Sequence, residues 1–523
     1  TIENRTMGYQ CGWDDYDASG QMAEAVMGTI EDKLIFNHWV DSQWRIGTAN
    51  AGLKYATQFR NGDNFAANLN YNMKSEVRDG QSNTWNRQNV ALAAHYDHAN
   101  KLMVDLVLAA NGSNRSYPAK WAFSPTLALG WIYANNPDGV LTYGKLRGSA
   151  GIQHTDFVPR AGLWLAQWNG SHGEFVYGSN FASTWGAFLT QFPTTNFRQE
   201  AAYKANIGTD LRIANCLDIV ADVFYQQRRN ILVQADALNS AVVGIQSSYD
   251  DRGVVASYGG ELGLRFAKTF GNGLNVNASA FATYSRNEIL EWIENPVYPN
   301  MSVIGTPADA ARGLVALGFF ESQEDIDNSP LQQFGQVKVG DIKYKDVNED
   351  GVINENDAVA LDYGSAFPHL NYSFSLGLEW KGIGINATFQ GAGNQIKNLR
   401  YVDGVWGALS DNRNMSQEYY DNCFDVAGAN ALYPRLSTTN VANNAQESTI
   451  WYRNVSWFKM RDCELYYRFP SKLLKHAKIS DAKIFVQGQN LLSFDNIPAM
   501  DAENLNTGYP VMKAVTFGLS VVF

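Results

Sequence analysis

The stretch Leu370–Gln390, LNYSFSLGLEWKGIGINATFQ, contains two runs of alternating apolar and polar residues with Lys381 and Gly382 between them. Successive side chains of a β-strand point to opposite faces, so each run predicts a strand with one apolar and one polar face. A Lys-Gly pair between two such strands is typical of a tight hairpin turn. The stretch therefore predicts an antiparallel hairpin that is apolar on one side and polar on the other.

The same alternation recurs along the chain, in segments 218–226, 258–266, 274–284 and 515–523. These segments have about 9 to 11 residues, the length that a tilted strand needs to cross a hydrocarbon layer. Strands of soluble sandwiches are shorter, at about 5 to 6 residues, so the length favours a membrane. By this pattern the chain has about 16 strands in an all-β fold.

The connections between the predicted strands are of two kinds. The short ones lie at 215–217, 271–273 and 381–382, and the long ones at 230–254, 289–369 and 391–455. Compact soluble domains rarely contain structureless segments of that length, whereas outer-membrane barrels have short turns at one rim and long extracellular loops at the other. The sequence thus predicts a transmembrane antiparallel β-barrel in the bacterial outer membrane.

The composition argues against several classes of function. The 523 residues carry a formal net charge of -11, so no basic surplus is available to neutralise the phosphates of a nucleic acid. The seven histidines form no metalloprotease pattern, and neither a nucleophile elbow nor a phosphate-binding loop occurs in the sequence. We predict that the chain is not an enzyme. A secreted or outer-membrane glycan-active enzyme is the alternative from another class, and a passive porin is the third.

Segment 341–359, DIKYKDVNEDGVINENDAV, has the spacing of a calcium-binding loop. Gly351 allows the sharp turn that such a loop requires. The predicted ligands of a structural Ca²⁺ are Asp346, Asn348, Asp350, the carbonyl of Val352, and Asp357. Asp357 replaces the usual longer Glu, which predicts a weak site suited to a calcium-rich exterior. The alternative is a turn-rich loop that binds no metal.

Four aromatic residues in the predicted loops are candidates for substrate binding, since exposed rings can stack on sugars or clamp peptide side chains. They are Trp292, Trp406, Tyr419 and Tyr420. The alternative for each is packing within the loops or contact with a partner protein. Three further aromatic residues are predicted to lie in the aromatic girdles that outer-membrane barrels have at the two membrane interfaces. They are Trp380, Trp457 and Tyr467.

Several stretches resemble, in the same order, the SusC/RagA-like TonB-dependent transporters of the Bacteroidetes outer membrane. Residues 319–359, FFESQEDIDNSPLQQFGQVKVGDIKYKDVNEDGVINENDAV, and 367–394, FPHLNYSFSLGLEWKGIGINATFQGAGN, are similar to a late loop and the hairpin that follows it. The closing three strands of the family resemble VSWFKMRDCELYYRFPSKLL, ISDAKIFVQGQNLLSFDN and YPVMKAVTFGLSVVF, within residues 455–523. The resemblance is good from about residue 195 onward.

The resemblance implies more than these residues supply. Transporters of this class have about 22 strands around a plugged lumen, so we expect residues 1–523 to be the carboxy-terminal barrel portion, with the plug and first strands elsewhere. Thr1 in place of an initiator Met favours a longer polypeptide. By resemblance, the protein imports an oligosaccharide or oligopeptide with energy from TonB, engaged through the missing amino-terminal part. A SusD-like surface lipoprotein is the implied partner, and lipid of the outer membrane surrounds the barrel.

Overall fold

The computed structural model describes residues 44–78, 84–116, 118–159, 162–238, 240, 242, 244–245, 248–365, 367–401, 405, 409–410, 413–474, 478–497, 501–504 and 511–523. In chain order the strands are β1 Trp44–Gln58, β2 Asn64–Arg78, β3 Trp85–His98, β4 Leu102–Ser113, β5 Trp121–Asn135, β6 Leu141–Thr155, β7 Gln167–Tyr177, β8 Ala182–Gln191, β9 Glu200–Ile213, β10 Leu217–Gln234, β11 Tyr249–Thr269, β12 Asn275–Glu291, β13 Ala310–Gly313, β14 Ala316–Phe319, β15 Leu331–Gln332, β16 Ile342–Tyr344, β17 Val352–Ile353, β18 Val359–Ser365, β19 Leu370–Trp380, β20 Ile383–Asn398, β21 Tyr452–Arg468, β22 Asp481–Asp495 and β23 Ala514–Val522. The helices are short, namely α1 Gln323–Asp327, α2 Gln417–Asn422, α3 Phe424–Ala427 and α4 Ser471–Leu474.

One large sheet of 17 strands dominates the described residues. All of its strands except β13 and β18 form an antiparallel meander, in the order β1 to β6, β9 to β12, and β19 to β23. Within the described part, β1 and β23 each have a neighbour on one side only. The predicted all-β antiparallel barrel fold is confirmed.

The hairpin predicted from residues 370–390 is formed by β19 and β20. Leu370–Trp380 matches the first run of alternating residues, and Ile383 begins the second strand. Lys381 and Gly382 have φ angles of 50° and 85°, the left-handed conformation that a two-residue hairpin turn requires at both positions. The pairing of Leu376 with Ala387 places the apolar residues of both strands on one face.

Large apolar side chains are exposed on the outer face of the sheet. Phe517 and Leu519 of β23 are 78% and 66% exposed, and Val223 of β10 is 68% exposed. A soluble monomer rarely exposes so continuous an apolar face, whereas a lipid bilayer covers it. Among the described residues, no helix is long and apolar enough to span a bilayer.

The two rims of the sheet differ as predicted. Tight turns at 59–63, 99–101, 136–140, 214–216, 270–274 and 381–382 connect strands at one rim, called here the short-turn rim. At the opposite long-loop rim, connections 156–199, 292–369 and 399–451 carry the minor strands and most of the helices. This asymmetry is typical of outer-membrane barrels.

The strands are longer than the sequence pattern indicates. β10 continues to Gln234 and β11 begins at Tyr249, inside the predicted loop 230–254. Likewise, β20 extends to Asn398 and β21 begins at Tyr452, which shortens the predicted loop 391–455 at both ends. Beyond the hydrocarbon layer neither face of a strand needs to be apolar, so the alternation stops before the hydrogen-bonded ladder does.

Candidate functional site

The long-loop rim carries a folded assembly of loops, called here the loop cap, from residues 292–369, 399–451 and 496–504. Its apolar core is continuous with the upper ends of β20 and β21 through Ala392 and Val455. The largest fully buried side chains of this core are those of Trp451, Tyr344 and Tyr433. Burial of this size keeps the long connections packed against the barrel wall.

Buried polar groups fix the loops of the cap to one another. The Asp341 side chain is fully buried, 2.8 Å from Arg435 Nε, and Asn444 Nδ2 donates to it at 2.9 Å. Gln332 Nε2 donates to the carbonyl of Ile342 at 2.9 Å, and its oxygen accepts from Tyr344 N–H at 2.7 Å. Buried polar groups that are satisfied in this way specify a single arrangement of the loops.

The predicted calcium loop has the backbone geometry that its sequence requires. Glu349 and Gly351 have φ angles of 60° and 84°, so the chain turns sharply at both positions. The Asp346 carboxylate accepts the Gly351 N–H at 2.9 Å, and Asn348 Oδ1 accepts the Asp350 N–H at 3.1 Å. These contacts hold two of the predicted ligand side chains, those of Asp346 and Asn348, on the turn.

One oxygen in this loop has no partner inside the protein. Asp346 Oδ1 is buried and accepts no hydrogen bond, although the other oxygen of the same carboxylate is bonded to Gly351. A buried carboxylate oxygen without a donor is costly, and a bound cation would satisfy it. The donor set of carboxylates, an amide and a carbonyl is the hard-oxygen type that Ca²⁺ prefers.

Asp357 plays a different part from the one that the spacing alone indicates. Its side chain is fully buried, and it accepts the Val347 N–H at 2.8 Å and the Asn354 N–H at 2.9 Å. It forms a capping box with Asn354 at the short helix 355–357. In the described part of the chain, no three His, Cys, Asp or Glu side chains are arranged as a metal cluster. Asp346, Asn348 and Asp350 remain predicted ligands of Ca²⁺, and Asp357 closes the loop by hydrogen bonds.

Tyr298 lies next to the calcium loop on the outside. Its hydroxyl donates to Asp350 Oδ2 at 3.3 Å. Desolvation first, and then the negative charges of Asp350, Asp357 and Asp346, raise the pKa of Tyr298. The charges of all three predicted carboxylates therefore reach the Tyr298 hydroxyl, so negative charge is concentrated on the side of the loop that faces Tyr298.

The four candidate aromatic residues occupy different environments. Tyr420 is 43% exposed on the cap surface. Tyr419 is only 4% exposed, with its ring stacked on Tyr433 at 4.8 Å and its hydroxyl donating to the Pro434 carbonyl. The expectation that Tyr419 offers its ring to a substrate is corrected, because the ring belongs to the cap core. Trp292, directly after β12, is half-buried, and Trp406 lies outside the described residues.

Trp457 also departs from the sequence prediction. It is 8% exposed and packs in the core of the cap instead of a membrane girdle. β21 contains a bulge, because Thr388 pairs with Asp462 and the next residue, Phe389, pairs with Met460. One extra residue in a strand moves every following side chain to the opposite face, so Trp457 turns inward. Trp380, at the short-turn rim, is 47% exposed, as a girdle residue should be.

The bulge brings two cations to the inner face, a feature that the sequence pattern does not reveal. Lys459, with 5% of its side chain exposed, lies 2.5 Å from Asp501, and Arg461 donates to Glu503 at 2.8 Å. Burial favours neutral Asp501, but the hydrogen bonds from Lys459 and from the backbone N–H groups of Val511 and Glu503 together outweigh it, so the pKa of Asp501 is lowered. The pKa of Glu503 is lowered chiefly by its hydrogen bond with Arg461. These ion pairs attach residues 501–504 to the wall.

The inner face of the wall is polar and carries charges of both signs. Arg147 lies 2.9 Å from Asp210 and 2.8 Å from Asp222, which joins β6, β9 and β10. Further pairs on this face are Arg212 with Asp218, Lys483 with Glu464, and Gln487 with Asp462. A wall of this kind suits a hydrated channel and offers both donors and acceptors to a polar solute.

A polar contact also joins two turns at the short-turn rim. Asp63, whose side chain is almost fully buried, accepts from Tyr96 Oη at 2.6 Å and from the Ala99 N–H at 3.2 Å. His98 Nδ1 lies 3.0 Å from the same carboxylate. The hydrogen bonds from Tyr96 and His98 lower the pKa of Asp63 to about 2. The turn 59–63 is thereby fixed to the turn 99–101.

A lipid-facing sheet, a polar inner face and a folded cap on one rim define an outer-membrane β-barrel. No protein-family profile matches the sequence. TonB-dependent receptor P26 of Formosa agariphila is 24% identical over 468 residues, which are 82% of this chain and 45% of that protein. TonB-dependent receptor P3 of the same organism is 22% identical over 471 residues, with the same coverage of 82% and 45%.

Solved structures of the RagAB system share the fold. The RagAB peptide importer in its open-open state superposes with a TM-score of 0.67 at 15% identity, over 92% of this chain and 55% of that one. Its closed-closed state gives a TM-score of 0.66 at 16% identity, over 92% and 56%. The predicted resemblance to SusC/RagA-like TonB-dependent transporters and the outer-membrane location are confirmed, and the relatives are receptors and importers, not enzymes. The chain spans about half the length of the curated relatives that it matches.

Proposed function

We propose that this chain forms the barrel wall and the extracellular cap of an importer, which takes up oligopeptides with energy supplied through TonB. The observation that carries the proposal is the inner face, where ion pairs such as Arg147 with Asp210 and Asp222 alternate with amide and hydroxyl side chains. Peptides carry charges of both signs and many amide groups, so a wall with paired charges fits them better than it fits neutral glycans. The similar fold of a peptide importer supports this choice.

The cap would capture the substrate before it enters the channel. Its exposed surface includes Tyr420, and its rigid core holds that surface in place. We propose that the cap binds a surface lipoprotein of the SusD type, which would close over the long-loop rim. The half-buried Trp292 remains a candidate for contact with substrate or with this partner.

The proposal also includes a structural Ca²⁺ in the loop 346–357. Asp346, Asn348, Asp350 and the Val352 carbonyl would bind the ion, and the unpartnered Asp346 Oδ1 supports this assignment. The ion would supply positive charge that relieves the repulsion between neighbouring carboxylates and keeps the loop folded. It has no part in moving the substrate.

Uptake measurements test the importer function. Cells that express the intact protein would receive either labelled oligopeptides or labelled oligosaccharides, with TonB present or deleted. We expect peptide uptake that disappears without TonB, and no uptake of the oligosaccharides. Arg147→Gln, on the inner wall, should reduce peptide uptake. Arg198→Gln, which breaks the ion pair between the connection 156–199 and Asp251 of β11, should not.

Two results would contradict the proposal. Peptide entry that is equally fast without TonB would identify a passive porin. Entry of oligosaccharides in place of peptides would retain the importer and overturn the substrate class.

A further inference from the structure

A groove interrupts the apolar outer face of the sheet. Its volume is about 410 Å³, and it spans β4, β5, β6, β9 and β10. Residues directly opposite one another across these strands form a row of Leu106, Leu127, Ala150, Ala205 and Tyr225. Two large side chains on one side and a tyrosine on the other therefore flank a floor of two alanines.

The floor continues along the strands as well as across them. Gly148 lies two positions from Ala150 on the same face of β6, and no atom lies within 4 Å of where its Cβ would be. Toward the long-loop rim, Ile152 and Tyr203 border the groove. Strands are about 4.8 Å apart, so a floor two strands wide accepts one extended hydrocarbon chain.

A cation lies at the end of the groove that faces the long-loop rim. Arg229 is four positions beyond Tyr225 on the same face of β10, about 13 Å further along the strand. Its guanidinium lies 5.7 Å from the ring centre of Tyr203, and its Nε donates to Gln227 at 3.2 Å. Within the described part of the chain, no carboxylate forms an ion pair with Arg229.

The position of Arg229 matches the outer boundary of the membrane. It lies twelve positions beyond Leu217, which begins β10 at the short-turn rim. A tilted strand crosses the hydrocarbon layer in about 9 to 11 residues, so Arg229 stands at the level of the outer headgroups. An arginine at this depth keeps its charge in the polar layer and is well suited to bidentate contact with phosphate.

We infer that this groove binds one phosphorylated lipid of the outer leaflet, with an acyl chain over Ala150 and Ala205 and the phosphate at Arg229. Charge complementarity and the depth of the arginine select this occupant over an uncharged lipid. The binding site lies on the outer face, away from the polar channel, so it is independent of the substrate proposed above.

Native mass spectrometry of the intact protein in mild detergent tests this inference. The probes are a monophosphorylated lipid A and the same lipid after removal of its phosphate. Arg229→Gln should weaken binding of the phosphorylated lipid about tenfold, because a charge-assisted contact is lost. Lys268→Gln is the matched control, since Lys268 lies on the same outer face next to the short-turn rim, with Phe270 under its ammonium group.

A second pair of variants tests the groove itself. Ala205→Phe fills the floor and should abolish retention of the phosphorylated lipid, while Ala94→Phe, on the outer face outside the groove, should leave it unchanged. Migration of unboiled samples shows that each variant is folded. Equal binding of the two lipids would overturn the inference, and so would equal effects of Arg229→Gln and Lys268→Gln. It would also be overturned if Ala205→Phe changed the oligomeric mass of the protein and left lipid binding unchanged.

Discussion

The hydroxyl oxygens of Ser375 and Thr388 lie 3.1 Å apart on the inner face of the β19–β20 hairpin. The neighbouring pair, Leu376 and Ala387, faces outward at the same depth. Two neighbouring cross-strand pairs of one hairpin thus have opposite environments, with the hydrated interior on one side and lipid on the other. This relationship allows a test of topology in which depth is held constant.

An arginine in each pair should therefore have different consequences. Leu376→Arg places a charge in the lipid and should cost about 2 to 4 kcal/mol of folding stability, whereas Thr388→Arg places it in the hydrated interior and should cost much less. Denaturant titration of the barrel in lipid vesicles gives both values. Equal losses for the two variants would contradict the assignment of the outer face.

The calcium proposal predicts a change in protease sensitivity. Asp346→Ala combined with Asp350→Ala should increase cleavage within residues 343–357 and leave the barrel folded, since loops open locally without global unfolding. A chelator should have the same effect on the parent protein and no further effect on the double variant. At a Ca²⁺ concentration of about 100 times Kd, the ion stabilises the loop by about 2.7 kcal/mol, so cleavage should slow about a hundredfold.

Glu355→Ala provides the control for this experiment, because Glu355 is exposed in the same segment and is not a predicted ligand. It should retain the calcium dependence of the parent. If the chelator leaves the cleavage pattern of the parent unchanged, the loop folds without metal.

Acid should release the contact between the two turns at the short-turn rim. The folded pKa of Asp63 is about 2, below its ordinary value of 3.8, so the stability it contributes is fully present above about pH 4 and is lost as pH falls toward 2. Hydrogen exchange of residues 59–63 should accelerate over that interval. In the Asp63→Asn variant this exchange should already be fast at pH 5 and should not change as the pH falls. If both proteins show the same acid response, Asp63 does not hold the two turns together.

The barrel strands are predictable from the sequence because one face of each strand meets lipid. Leu376 and Ser375 must differ in polarity for the hairpin to be stable, so the alternation is visible in the sequence alone. Above the membrane this requirement ends, so the alternation does not predict the upper part of β20, up to Asn398. The spacing of residues 346–357 predicts a calcium loop, and this stays a prediction, whereas the capping role of Asp357 depends on its position next to Asn354 in the folded loop.

The inward position of Trp457 shows what the pattern cannot provide. Residues 463 and 465 are in phase with it along the strand, and Leu465 faces outward at 54% exposure. A single bulge near Arg461 reverses the phase, and bulges are set by pairing between strands, not by alternation within one. The ion pair of Lys459 with Asp501 follows from the same bulge and could not be foreseen without it.

The adjacent residues Tyr419 and Tyr420 separate substrate contact from folding of the cap. Tyr419 lies in the core against Tyr433, 14 positions further along the chain, whereas Tyr420 is exposed. Tyr420→Ala should raise the peptide concentration that gives half-maximal uptake about fivefold, the effect of losing one aromatic contact, without changing thermal stability.

Tyr419→Ala should instead destabilise the cap by about 3 to 5 kcal/mol, because it leaves a cavity beside Tyr433. Tyr419→Phe keeps the ring and loses only the hydrogen bond to the Pro434 carbonyl, so it should cost about 1 kcal/mol. Thermal unfolding and hydrogen exchange of the cap measure stability, and uptake by cells measures affinity. If Tyr420→Ala changes neither quantity, its ring is not in contact with substrate. If it lowers stability as much as Tyr419→Ala, the exposed ring packs within the cap as its neighbour does.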